Sequence, residues 1–286
     1  MTMLESRAQV PLGGSEAPVE LTSAPVAQPV TPLRRRLPPR SRTSAPLAAE
    51  AEAPTAVHFG SVDAVRRTLG DGAPLDSAER ACGETYRRLA DRERYFAARI
   101  LLRHALSKAV DGRIKPADWR YREGPYGKLM MAAGLPAVEF SISHTANCVA
   151  VAVGKYAPVG IDVECARPHE PVGIIDEVLS EGERSRLMAR PESQRWSDFV
   201  RMWTAKEASA KALGLGLSLD FSTVDVQLDP LRVRLLYPPL GFASDFDIVT
   251  TTVTSRGKPF YLTVAKLVAG QSARPAPAEA TRAPRA

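Results

Sequence analysis

Four charged side chains could together perform phosphate chemistry: Asp162 and Glu164 in one segment, and Glu207 and Lys211 in another. Trp203, Glu207 and Lys211 recur at every fourth residue of a segment rich in Ala, Lys and Glu. This composition predicts a helix, on which Glu207 and Lys211 share one face with their side-chain origins roughly 5–6 Å apart. Asp162 and Glu164 lie two residues apart in a run of β-branched apolar residues. That run predicts a strand with both carboxylates on the same side.

Two carboxylates from a strand and one from a helix would form an all-oxygen site. Hard cations such as Mg²⁺ use oxygen ligands of this kind while keeping waters and substrate phosphates. A plainer interpretation of Glu207 and Lys211 is an exposed i,i+4 ion pair worth a few tenths of a kcal/mol. The corresponding plainer interpretation of Asp162 and Glu164 is that they lie on the solvent side of an edge strand. The apolar run around this acid pair indicates burial, however, and buried acids need a cation or a hydrogen-bond donor.

Composition limits the class of protein. The chain has 286 residues and a formal net charge of +6, which suits an acidic partner or a phosphate-bearing ligand. Its three cysteines include no CxxC pair, so a disulfide framework or structural zinc is not expected and a reducing compartment fits. No apolar run approaches a membrane span, and the N-terminus lacks a secretory signal pattern. We therefore expect a cytoplasmic protein without a membrane partner.

The order of elements predicts an α+β fold between two tails. Residues 1–55 and 269–286 are rich in Pro, Ala and Arg and are predicted to be disordered. The body between them mixes helices and antiparallel strands, which favours helices segregated on sheets over a doubly wound parallel sheet. GxGxxG and P-loop motifs are missing. The main predicted elements are a strand at Val57–Val65, helices at Ser77–Leu89, Asp91–Ala109 and Ser180–Met188, and strands at Val138–Ser143, Val224–Leu228, Val233–Tyr237, Phe246–Thr254 and Tyr261–Leu267.

Several polar residues near the acid pair could bind phosphate. Val149–Val153 and Val159–Val163 are predicted to form a hairpin, and Ser143 and His144 end the strand before it. Neighbours on a strand point to opposite faces, so Ser143 and His144 are a poor nucleophile and base pair. Near a cation they would be reasonable phosphate donors. At least half of the arginines on the second predicted helix are expected on a solvated face: Arg92, Arg94, Arg99 and Arg103.

The paired motifs resemble a known family. Val159-Gly160-Ile161-Asp162-Val163-Glu164, followed by Trp203-Thr204-Ala205-Lys206-Glu207-Ala208-Ser209-Ala210-Lys211, resembles the signature pair of the 4′-phosphopantetheinyl transferases. Tyr126-Gly127-Lys128 and Phe140-Ser141-Ile142-Ser143-His144 resemble the Sfp type of that family. The likeness extends from about Val57 to Val268. One departure is Leu129, where the family often has proline.

The resemblance implies an activity and a role for each motif residue. The family transfers the 4′-phosphopantetheine arm of coenzyme A to a serine of an apo acyl or peptidyl carrier protein. The metal, Mg²⁺ with Mn²⁺ possible in its place, would be bound by Asp162, Glu164 and Glu207. Glu207 would also be the base for the carrier serine, directly or through water, and Lys211 would contact the pyrophosphate. Coenzyme A would further be held by Ser143, His144, Lys128 and Arg94.

The resemblance also implies the architecture. It predicts two similar α+β halves, 56–156 and 157–268, related by a pseudo-twofold with coenzyme A in the cleft between them. We expect a monomer that serves fatty acid, polyketide or non-ribosomal peptide synthases and has no nucleic acid partner. Two other functions remain open: a basic adaptor that binds through its arginine-rich N-terminus, and a metal-dependent phosphohydrolase that uses the same carboxylates.

Overall fold

A computed structural model of the chain describes residues 55–70, 74–155, 157–166, 174–237 and 246–268. Both tails predicted to be disordered, 1–55 and 269–286, lie outside these ranges except for Thr55. The helices are α1 (Val62–Leu69), α2 (Ser77–Glu84), α3 (Leu89–Ala109), α4 (Ile174–Val178), α5 (Glu181–Met188) and α6 (Glu192–Leu213). The strands are β1 (Ala56–Ser61), β2 (Tyr121–Glu123), β3 (Leu129–Met131), β4 (Glu139–Thr145), β5 (Cys148–Gly154), β6 (Val159–Cys165), β7 (Val224–Leu228), β8 (Leu231–Leu235), β9 (Phe246–Ser255) and β10 (Lys258–Leu267).

The two halves of the described chain share one strand order. In the first sheet the order is β1-β5-β4, and in the second it is β6-β10-β9, so the first strand pairs with the last in both. All these pairs are antiparallel, and each half also contains a short antiparallel hairpin, β2–β3 or β7–β8. The mixed α+β class is therefore confirmed. The rotation that would relate the halves, and their exact boundaries, stay predictions.

Two of the predicted strand arrangements were wrong. The strand predicted at Val57–Val65 ends at Ser61, because the Ser61 hydroxyl accepts a hydrogen bond from the Ala64 N–H at 3.1 Å and caps α1. The predicted hairpin of Val149–Val153 with Val159–Val163 does not form. Those segments belong to β5 and β6, which lie in different sheets, and β6 pairs instead with β10. Apolar side chains of both sheets pack between them in one cluster.

Each half contains a buried cation on its long helix, bound to the capping glutamate of the helix before it. Arg103 of α3 is fully buried, and its guanidinium binds Glu79 Oε2 at 2.7 Å, so Arg103 does not belong to a solvated face. In the second half, Lys206 of α6 is fully buried and binds Glu183 Oε2 at 2.6 Å. Glu79 and Glu183 each complete a capping box, the second of which the sequence predicts. The same device thus fixes both long helices.

Lys206 also connects α6 to three other segments. Its three N–H groups are shared between Glu183 and the carbonyl oxygens of Val178, Phe221 and Val224, which lie 2.5–2.9 Å from the ammonium nitrogen. Desolvation lowers the pKa of Lys206, and the carboxylate of Glu183 opposes that shift. These bonds satisfy a charge that would be very costly to bury alone. Lys206 therefore sets how α6 lies against α4, α5 and β7.

Acid should destabilise the fold through His58 on β1. The imidazole is 2% exposed, and its Nδ1 has no hydrogen-bond partner among the described residues. Burial, with a smaller contribution from Lys108, lowers the pKa of His58 to about 4 from 6.5. Between these values the unfolded chain binds more protons than the native chain, so stability falls as the pH drops. At about 1.4 kcal/mol for each pH unit, the loss attributable to His58 should reach about 3 kcal/mol.

Urea unfolding of the wild type and of His58→Leu, from about pH 7 to about pH 4.5, measures this effect. Other groups titrate in the same range, so the informative quantity is the difference between the two proteins at each pH. That difference should shift in favour of His58→Leu as the pH falls. A difference that does not depend on pH would show that His58 is not held neutral in the native state.

Candidate active site

The close approach of β6 and α6 creates the site. A Cβ atom added at Gly160 would lie 1.8 Å from the carbonyl oxygen of Ala208 and 2.5 Å from the amide nitrogen of Ala212. Only glycine permits this backbone contact. Gly160 lies two residues before Asp162 on the same face of β6, and its contact Ala208 follows Glu207 on α6. The helix ends at Gly214, a left-handed C-cap with φ 77°, as the sequence predicts.

Gly160→Ala should therefore lower stability strongly, because backbone atoms cannot move away as side chains can. We expect a loss of at least about 3 kcal/mol in the free energy of unfolding, the upper part of the range for overpacking. Gly154→Ala is the matched control, since the added Cβ would approach no atom closer than 3.4 Å. Denaturant unfolding compares them. Equal stability of the two variants would contradict the tight contact.

Six of the predicted site residues line one cavity of about 500 Å³. They are Ser143, His144, Asp162, Glu164, Glu207 and Lys211. A second cavity of about 230 Å³ contains Lys128, and Lys211 lines both, so the two cavities adjoin. The two motifs separated in sequence therefore meet in space, together with the end of β4. Such a concave site between two sheets is a common position for a binding site.

Asp162 is held from two sides. Its Oδ1 accepts hydrogen bonds from the Lys211 ammonium at 2.7 Å and from the Ser143 hydroxyl at 2.7 Å. Its other oxygen, Oδ2, is buried and has no hydrogen-bond partner among the described residues. An unsatisfied buried carboxylate oxygen is costly unless a ligand or ion completes it. The geometry therefore leaves one oxygen of Asp162 for a ligand.

Glu207 is only 8% exposed and lies near the charges of Lys211, Asp162 and Glu164. The pKa of Glu207 is raised to about 7, chiefly by desolvation; Lys211 opposes the shift, and Asp162 and Glu164 add smaller upward contributions. A carboxyl with a pKa near 7 can exchange a proton at physiological pH. This is the property required of a general base or acid.

The carboxylates suit a hard cation, although they do not enclose one. Within the described ranges, no group of three or more His, Cys, Asp or Glu side chains is arranged to hold a metal ion. The donor set nevertheless consists of carboxylate oxygens, which Mg²⁺ prefers. A cation beside Asp162 Oδ2 would satisfy that buried atom and reduce the repulsion at Glu207. The residues present therefore fit such an ion, with water or substrate supplying its remaining ligands.

The basic residues predicted to bind a nucleotide differ in position. Lys128 lies in the second cavity, where desolvation lowers its pKa. Arg94 lines neither cavity: it donates to the carbonyl oxygen of Ala146 at 3.0 Å and pairs with Asp91. The pKa of His144 is lowered by desolvation and then by the charge of Arg94. Arg94 therefore contacts the turn after β4 and lowers the pKa of His144, but it lines neither of these two cavities.

Sequence reasoning did not single out Arg99 or Thr145. Arg99 lines both cavities, and its guanidinium lies 5.1 Å from the ring centroid of Tyr95. The Thr145 hydroxyl donates to Glu164 Oε2 at 2.9 Å. The alternation of Ser141, Ser143 and Thr145 along one strand face was a signal that could have identified Thr145. For Arg99 the sequence contains no such signal, because four arginines lie along the same helix.

Comparison with known proteins agrees with the two motifs. Residues 158–264 match the model of the 4′-phosphopantetheinyl transferase superfamily. A 4′-phosphopantetheinyl transferase of Bacillus subtilis is 33% identical over 138 residues, which span 48% of this chain and 59% of that protein. The transferase Sfp of Bacillus subtilis strain 168 is 30% identical over the same shares of the two chains.

The match extends further in another relative. The 4′-phosphopantetheinyl transferase AcpT of Salmonella typhimurium is 31% identical over 175 residues, which span 57% of this chain and 83% of AcpT. The resemblance read from the paired motifs is thereby confirmed. Because the similarity covers most of the length of AcpT, and because the superfamily model also matches, the chain belongs to the 4′-phosphopantetheinyl transferase superfamily.

Proposed function

We propose that the protein transfers the 4′-phosphopantetheine arm of coenzyme A to a serine of an apo acyl or peptidyl carrier protein. One arrangement carries the proposal: Asp162, Glu164, Glu207 and Lys211 line a single cavity between the two sheets. Three acids and an ammonium group in one place suit the transfer of a phosphate-bearing group. The relatives named as transferases of this kind support the same choice.

In the proposed reaction the chain supplies proton transfer and charge. The carrier serine oxygen forms a bond to the phosphorus that bears the pantetheine arm, and the bond from that phosphorus to the bridging oxygen breaks. Glu207 accepts the serine proton, directly or through a water molecule, because a hydroxyl is a weak nucleophile near neutral pH. Adenosine 3′,5′-bisphosphate leaves, and the Lys211 ammonium stabilises the charge on its phosphate oxygens.

Coenzyme A would extend from this cavity into the second one. Its phosphates would approach His144 and Lys211, and its adenine end would lie along Lys128. Arg99, shared by both cavities, stands where it can also contact the nucleotide. Arg94 would support the nucleotide-binding part of the site indirectly, by holding the turn between β4 and β5 through the carbonyl oxygen of Ala146. Asp162, Glu164 and Glu207 would hold Mg²⁺, or Mn²⁺, which when bound neutralises charge on the pyrophosphate oxygens.

The partner would be a carrier protein of a fatty acid, polyketide or non-ribosomal peptide synthase. A net charge of +6 complements an acidic partner surface. Leu217, 81% exposed, stands at the rim of the larger cavity and offers an apolar contact to such a partner. Binding of nucleic acid plays no part in the proposal. Within the described residues, no helix has the length and apolar content needed to cross a membrane.

Mass spectrometry of a purified apo-carrier protein tests the proposal. With coenzyme A and Mg²⁺, the carrier should gain about 340 Da, the mass of the transferred arm in a metal-assisted transfer. A carrier whose acceptor serine is replaced by alanine is the control and should gain nothing. Release of phosphate without a mass gain would overturn the proposal in favour of a phosphohydrolase.

A truncation separates the proposal from a basic adaptor. Removing residues 1–54 deletes the arginine cluster at Arg34, Arg35, Arg36, Arg40 and Arg42. The transferase should keep its rate, because the residues proposed to act lie between 94 and 217. Loss of carrier modification on this truncation would place the function in the N-terminal segment.

A further inference from the structure

The side chains of β4 contact the outer edge of β6. Ser141 Oγ accepts a hydrogen bond from the Ile161 N–H at 3.1 Å, and Ser143 Oγ accepts one from the Val163 N–H at 3.2 Å. Because β6 is an edge strand of its sheet, these hydroxyls take the place of a neighbouring strand. The three hydroxyl residues of β4 therefore face the strand that carries Asp162 and Glu164.

The Ser143 hydroxyl has no capacity left for another ligand. A serine hydroxyl can donate one hydrogen bond and accept two. Ser143 donates to Asp162 Oδ1 at 2.7 Å, and it accepts from the Val163 N–H and from the Lys211 ammonium at 3.3 Å. Contact of this hydroxyl with a phosphate would break one of these bonds. The bond to Asp162 fixes the carboxylate so that Oδ2 is the oxygen without a partner among the described residues.

Thr145 repeats the contact two residues further along β4. Its hydroxyl donates to Glu164 Oε2 at 2.9 Å. Ser143 and Thr145 lie in the first sheet, whereas Asp162 and Glu164 lie in the second. Each acid of the pair is thus held by a hydroxyl from the opposite half of the chain.

We propose that Ser143 and Thr145 are positioning residues, whose hydroxyls orient Asp162 and Glu164 for a divalent cation, and that the Ser143 hydroxyl does not bind a coenzyme A phosphate. The inference rests on the proposed function, because the cation belongs to that function. Hydrogen-bond partners of metal-binding carboxylates fix the orientation of the ligand oxygens, and their loss typically costs 10–100-fold in metal affinity.

Thr145→Val tests the inference, because valine has the shape of threonine without the donor. Mn²⁺ serves as the probe: the electron paramagnetic resonance signal of free Mn²⁺ measures binding to the full chain without coenzyme A or carrier. We expect the dissociation constant to rise roughly 10–100-fold in Thr145→Val. Thr145→Ser retains the hydroxyl and should restore most of the affinity. Circular dichroism and the thermal midpoint check that both variants fold.

A double mutant isolates the contact from any general effect on the fold. In a Glu164→Gln background the carboxylate that Thr145 orients is gone, so Thr145→Val should cause little further loss of Mn²⁺ affinity. Losses that add fully in the double mutant would overturn the inference. So would Mn²⁺ binding by Thr145→Val at the wild-type affinity.

Ser143→Ala distinguishes the two assignments of Ser143. If Ser143 positions Asp162, Mn²⁺ affinity should fall while the KM for coenzyme A at saturating metal stays near the wild-type value. A raised KM with unchanged Mn²⁺ affinity would show instead that Ser143 binds the substrate. Failure of the proposed function would be visible separately, as no mass gain on the carrier with the wild-type protein.

Discussion

Glu207→Gln should lower the rate of carrier modification about 10²–10⁴-fold, the contribution expected from base assistance to a hydroxyl nucleophile. Glutamine has nearly the same shape as glutamate but cannot accept the serine proton. The fold should survive, because the site already disfavours the charged form: the pKa of Glu207 is raised to about 7, first by desolvation. The measurement is the single-turnover rate of carrier modification at saturating coenzyme A and Mg²⁺.

Binding must be followed beside the rate, because Glu207 is also proposed as a metal ligand. Coenzyme A affinity, from isothermal titration, should stay near the wild-type value. Raising the Mg²⁺ concentration should recover the part of the loss that comes from weaker metal binding and leave the part that comes from the missing base. Full recovery at high Mg²⁺, or a near-normal rate at the start, would remove Glu207 from proton transfer.

Lys206→Met should destabilise the fold by about 3–5 kcal/mol, the cost of leaving one member of a buried ion pair alone. The methionine would leave the Glu183 carboxylate, itself fully buried, without its cation. It would also remove donors from carbonyl oxygens of three segments. Guanidinium unfolding followed by circular dichroism measures the loss.

A surface pair supplies the matched control. Arg184 forms exposed ion pairs with Glu181 and Asp176, so Arg184→Met should cost only about 1 kcal/mol. The double variant Lys206→Met/Glu183→Gln should recover part of the stability that Lys206→Met loses, because no uncompensated charge remains buried. A loss for Lys206→Met as small as that for Arg184→Met would mean that the buried pair does not stabilise the fold.

Local sequence signals predicted the parts of the site that a single element fixes. The fourfold spacing of Glu207 and Lys211 placed both on one helix face, and Gly214 marked the end of that helix. Alternation on β6 placed Asp162 and Glu164 together. These predictions hold because helix and strand periods depend on neighbouring residues only.

Contacts between distant segments could not be predicted in this way. In the sequence, Lys206 is simply the neighbour of Glu207. Its buried, structural role becomes visible only in its contacts with carbonyl groups of α4, of β7 and of the turn between α6 and β7. The partner of β6 lies at the far end of the chain, so local apolar patterns favoured a hairpin with β5. Likewise, the rotation of α3 decides that Arg99, not Arg94, lines the cavities.

The pairing of β6 with β10 delays completion of the site. Glu164 lies opposite Tyr261 in this pair, and Asp162 lies opposite Thr263. During synthesis, the ribosome makes β6 long before it makes the strand that holds β6 in its sheet. Such non-local pairing raises contact order and slows folding. We therefore expect a nascent chain to contain all three acids before it can order them, and the proposed activity to appear only after β10 has emerged.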